Sequence, residues 1–121
     1  MPKLPVGYST VHFDDVDENE ETISSAPATL FGWTVINDHA TVPAYVQFYD
    51  SAAVTPGTTA PKIMICVPAL DSKSQEFVGG ITFNTAITVA STTTPTGATG
   101  TDTNDVSVSA MYLPGTRRSG I

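Results

Sequence analysis

Pro, Gly, Asn and Asp recur along this chain too often for a helix of ordinary length, about eleven residues, to form between them. They leave extended runs of four to nine residues, each closed by turn chemistry. Tyr8 to Phe13 alternates weakly, as a first strand or an ordered arm. Thr22 to Ser25 ends at Ala26-Pro27. Thr29 to Asn37 is the strongest strand, with Leu30, Gly32, Thr34 and Ile36 on one face and Phe31, Trp33 and Val35 on the other. After the turn Asn37-Asp38-His39-Ala40, Ala44 to Asp50 sets Ala44, Val46 and Phe48 against Tyr45, Gln47 and Tyr49, and the two strands are expected to pair antiparallel. Lys62 to Val67 is nearly continuous in apolar residues and stops at Pro68. Asp71 to Gln75 is expected to turn. Glu76 to Phe83 follows, its paired Gly79 and Gly80 marking a bulge or bend. Thr85 to Ala90 and Asp105 to Leu113 complete the set, separated by a Thr-rich stretch, Ser91 to Thr103, expected as an exposed hairpin arm or mobile loop.

Composition agrees with this rhythm. Thr, Val and Ile number 38 of the 121 residues, against 18 for Leu, Met, Lys, Arg, Glu and Gln together. Branched side chains lose rotamers in a helix and pack well on a pleated sheet. The expectation is an all-β domain, a single β-sandwich of seven to eight short strands with extended termini, jelly-roll-like or immunoglobulin-like. Its divisions are an N-terminal arm and acidic loop (1–28), the sandwich (29–113) and a C-terminal tail (114–121).

The formal net charge is −7 and the pI near 4.3, which argues against nucleic acid or an anionic membrane as partner. Six acids crowd into Asp14 to Glu21, a run read either as a solvated loop between strands or as a contact surface for a basic partner. One cysteine, Cys66, excludes an intrachain disulfide and a cysteine zinc site. No apolar run resembles a signal peptide or a membrane span, so synthesis in a reducing cytoplasm is expected.

No constellation for catalysis stands out, and no catalytic residue, metal or cofactor is expected. Asp15 to Asn19 begins like a calcium loop, but Glu20 occupies the position that needs Gly and Ala26 the position that needs a bidentate Glu. Asp102, Asn104 and Asp105 fit the backbone needs of a turn. His12 and His39 are isolated in sequence, and Cys66 sits between Ile65 and Val67, where cysteine acts as a small hydrophobe. Trp33, Tyr45 and Tyr49 are expected to share a face, packed on another surface or open to carbohydrate.

The run Leu30 to Asp38, followed by Ala44 to Asp50, resembles a family of small tailed-bacteriophage virion proteins. The likeness continues through Pro56 to Pro61, Val67-Pro68-Ala69, Gly79 to Ile87 and the closing Asn104-Asp105-Val106, covering residues 29–113. Its pattern is a Gly-aromatic strand, an Asn turn and a strand ending in aromatic-Asp. The resemblance implies a non-enzymatic virion structural protein, a head decoration (cement) protein on the capsid surface. The partners implied are the major capsid protein and copies of itself, as trimer or dimer. Trp33, Tyr45, Tyr49, Arg117 and Arg118 are the contact residues expected on that reading, the two arginines as a cationic handle for capsid carboxylates. A tail or head-fibre module binding host-surface carbohydrate is the alternative.

Overall fold

The computed structural model describes residues 8–102 and 105–115, and they form eight strands and no helix. The strands are β1 (Ser9–Phe13), β2 (Glu21–Ser24), β3 (Ala28–Asn37), β4 (Ala44–Tyr49), β5 (Ile63–Val67), β6 (Asp71–Phe83), β7 (Ile87–Thr92) and β8 (Val106–Pro114). They make two antiparallel four-stranded sheets, ordered β1-β8-β3-β6 and β2-β7-β4-β5. The pairs β1 with β8, β2 with β7, β3 with β6 and β4 with β5 are those of one long ribbon folded on itself. Wrapping that ribbon adds the pairs β3 with β8 and β4 with β7, which is the jelly-roll order. Of the two sandwich topologies the composition leaves open, the strand order is therefore the first.

β1 and β2 are edge strands of the two sheets, so the sandwich begins ahead of residue 29 and the segment expected as an arm supplies two of its strands. The strands expected to pair, 29–37 and 44–50, instead lie in opposite sheets. Both present apolar faces, Leu30 and Val35 from β3 and Ala44, Val46 and Phe48 from β4, and burying these against each other needs two layers. The segment expected to turn, Asp71 to Gln75, is the start of β6: its polar side chains belong to an exposed edge strand.

A bulge in β3 reverses which residues face the core. Ala28 and Leu30 point inward, the register shifts between Leu30 and Gly32, and from there Trp33, Val35 and Asn37 point inward. Ile36, expected beside Leu30, ends up on the outer face, 37% exposed. Opposite the bulge, Phe77 to Gly80 loop out of β6, since Leu30 pairs with Ile81 but Gly32 with Glu76. Gly80 has φ +76° and lies against Thr29 and Phe31, so only a residue without Cβ fits there. The paired glycines thus mark a bulge, as their spacing suggests.

Candidate functional site

Loops gather at the two ends of the sandwich, and polar side chains tie them. At one end Asn37, almost fully buried, donates from Nδ2 to the carbonyls of Val42, Val67 and Pro68, while its Oδ1 accepts the His39 N–H. At the other end the Asp50 carboxylate accepts the N–H groups of Asn84, Thr85 and Ala86. Burial pushes its pKa up, but those three bonds and nearby Lys62 outweigh it and leave the group below its ordinary value. The acidic loop is pinned too. Val16 is fully buried, its N–H bonds the Val106 carbonyl, and the Asp17 carbonyl accepts from Ser91.

His39, Asp102 and Asp105 bring their ligand-type atoms within 4.8 Å of one another. His39 Nδ1 accepts the N–H groups of Thr41 and Val42 at 3.1 and 3.0 Å, so the ring proton sits on Nε2, 3.0 Å from Asp102 Oδ2. A cation on Nε2 would force the proton onto Nδ1, against two donors. The cluster is therefore a clasp between the β3–β4 and β7–β8 loops and does not suit a metal.

His12 joins Asp14 (Nε2 to Oδ1, 2.7 Å) and Ser109 (Nδ1 to Oγ, 2.6 Å), which has the connectivity of a nucleophile, base and orienting carboxylate. The row lies on the flat outer face of the β1-β8-β3-β6 sheet and runs on through Thr34, whose Oγ1 is 2.9 Å from Ser74 Oγ. Asp14 is 87% exposed. β8 is flanked by β1 and β3, so its backbone N–H groups are committed to ladders and are not free to serve as oxyanion donors beside Ser109. The row orders a sheet surface. Its members were not legible as a cluster, because Ser109 and His12 lie 97 residues apart.

The aromatic residues do not share a face. Trp33 lies on the inner face of its sheet, its ring stacked on Phe48 (6.4 Å) and tilted against Phe77 (6.5 Å). Tyr45 and Tyr49 lie on the outer face of the other sheet. Tyr49 is fully buried beneath Val54, its hydroxyl donating to Gln47, which in turn donates to Thr92. Burial raises its pKa. Of the two tyrosines only Tyr45 is half-open, beside Cys66, and the hydrogen bond to Cys66 and the negative charge of its thiolate push its pKa up. Cys66 itself is exposed, contrary to its apolar neighbours, because alternate residues of β5 face outward. Arg117 and Arg118 lie outside the described residues.

Three concavities among the described residues are small. One between Asn37, His39, Val42, Thr93, Thr101 and Asp102 holds about 60 Å³, and one under Gly57 to Pro61 about 170 Å³. A shallow third beside Ile36 and Leu70 reaches about 280 Å³. Ordinary ligand pockets start at about 300 Å³. No protein-family model matches the chain, and no curated protein matches its sequence.

Proposed function

We propose that this protein is a non-enzymatic virion structural protein, a decoration protein that binds the outer surface of a tailed-phage head and stabilises it. The observation that carries this reading is the jelly roll with its interior filled by side chains, which leaves rigid outer surfaces where other domains of this architecture keep a ligand cavity. The residues behind the resemblance support it further. The Asn of the Asn turn, Asn37, and the Asp of the aromatic-Asp ending, Asp50, are the two clamps that stiffen the loop ends. A surface module held by many weak contacts gains from such rigidity, since less ordering is lost at each contact. The partners on this reading are the major capsid protein and copies of the chain, and the site is the capsid surface. Quantitative mass spectrometry of purified particles tests it. A copy number matching the capsid lattice is expected, a few copies would place the protein in the tail, and its absence from particles would overturn the proposal.

A further inference from the structure

The four sheet edges are not alike. β1 carries His12 and runs into Asp14 and Asp15. β2 begins with Glu21 and has a register shift between Thr22 and Ser24. β6 carries Lys73 and Glu76 and is broken by the Phe77 to Gly80 bulge. Charges and bulges of this kind stop an edge from pairing with another strand. β5 has none of them: Ile63-Met64-Ile65-Cys66-Val67 is uncharged, regular in its pairing with β4, and has no strand on its other side among the described residues. Met64 is 44% exposed and Cys66 is exposed as well.

We infer that β5 is a pairing edge and that its occupant is β5 of a second copy of this chain, antiparallel across a two-fold axis. Charge favours that occupant at this place. A chain of net charge −7 repels itself, yet no carboxylate lies on β5, and on this flank Lys62 and Lys73 offset the Asp71 and Glu76 of β6, so two copies can meet here without the net repulsion of the acidic run. The acidic run lies across the molecule, between β1 and β2, which are the edges farthest from β5 and β6. The ends of the described chain are not placed to fill the edge: Tyr8 leads into β1, and Gly115 bonds Pro27 beside β3. A two-fold centred on Ile65 uses the whole strand. It sets Ile63 against Val67 of the copy and Met64 against Cys66 of the copy, keeping core-facing residues on the core side. Two four-stranded sheets then join into one of eight. Five residue pairs bury much less than a stable interface of about 1,200 Å² or more, so the dimer is a reversible one.

The inference is independent of any particle, and the full chain alone tests it by sedimentation velocity over about 5–500 μM, where a weak dimer dissociates. Met64→Lys with Cys66→Lys puts like charges opposite each other twice and should weaken dimerisation by about tenfold or more. Met64→Lys with Cys66→Glu makes both pairs complementary and should restore it. Circular dichroism confirms that each variant folds. Should the double-lysine variant fail to fold, Met64→Cys under diamide decides: it should form a covalent dimer through Cys66 of the copy. Wild type should not, because its Cys66 lies two residues out of register with its counterpart. A wild-type monomer throughout the range would overturn the inference. So would a double-lysine variant that dimerises like wild type, a Lys/Glu variant that does not recover, or Met64→Cys that crosslinks no better than wild type.

Discussion

Trp33 is held between layers, stacked on Phe48 and edged by Phe77, yet its Nε1–H is buried without an acceptor among the described residues. Two effects oppose each other at one ring. The apolar surface and stacking stabilise, while the orphaned donor costs about 1–3 kcal/mol of lost hydration. Truncation and trimming should therefore part company. Trp33→Ala removes the ring and should cost about 2–3 kcal/mol, toward the low end for an aromatic because the side chain is only partly buried. Trp33→Phe keeps the stack, deletes the stranded N–H, and should cost less than about 1 kcal/mol. Urea denaturation measures both, and equal losses would mean the indole nitrogen has a partner after all. Trp33 forms no common platform with Tyr45 and Tyr49, because β3 and β4 lie in opposite sheets, and the β3 bulge turns Trp33 toward the interior while the tyrosines face outward.

Between elements, Asp50 replaces side-chain packing with charge-assisted hydrogen bonds. It ends β4 and closes the turn between β6 and β7 with bonds of 3.0, 2.8 and 3.4 Å. Because its pKa is lowered on folding, its contribution is present above the unfolded value, about 3.9, and is lost as pH falls through the folded one. Asp50→Asn offers one oxygen where the carboxylate offers two and should cost about 1–2 kcal/mol at pH 7. The gap between variant and wild type should narrow as pH falls below the unfolded value and close once the folded carboxyl is protonated, as read from urea midpoints; a gap independent of pH would assign the loss to shape and not to charge. This clamp also marks the limit of what the chain discloses before folding. Most strands were legible, because period two and turn residues are local properties, and the aromatic-Asp ending at Asp50 was visible as a pattern; the polar first half of β6, Asp71 to Gln75, was not, since an exposed edge strand reads like a turn. Its three partners, Asn84 to Ala86, were not, since nothing at residue 50 names a turn 34 residues on. Sheet membership failed for the same reason. The 38–43 connection reads as an ordinary turn, and only the need to bury two apolar faces sends β3 and β4 into different layers. The bulge at Phe31 has no local signal beyond Gly32, and one extra residue was enough to exchange the faces of half a strand.

Across the whole molecule the charge is uneven: six carboxylates crowd the run from Asp14 to Glu21, while on the β5–β6 flank Lys62 and Lys73 offset Asp71 and Glu76. That unevenness leaves one flank fit for self-pairing and makes the other a store of repulsion. Glu21 reports the repulsion: partial burial first, then the carboxylates of Asp17 and Asp15, raise its pKa. A carboxyl whose folded pKa exceeds its unfolded one favours folding below the unfolded value, and that contribution is lost as pH rises through the folded one. At neutral pH Glu21 is thus a charge held where it is unwelcome. Glu21→Gln should raise stability at pH 7 by about 0.5 kcal/mol, a small figure because solvent screens a side chain this open. The gain should vanish below about pH 4, where wild-type Glu21 is protonated folded and unfolded alike. Salt separates charge from shape. Raising ionic strength to about 0.5 M shortens the screening length to about 4 Å and should stabilise wild type more than the variant. Thermal melts of both proteins at low and high salt measure the difference, and a Glu21→Gln advantage unchanged by salt would rule out carboxylate crowding as its cause.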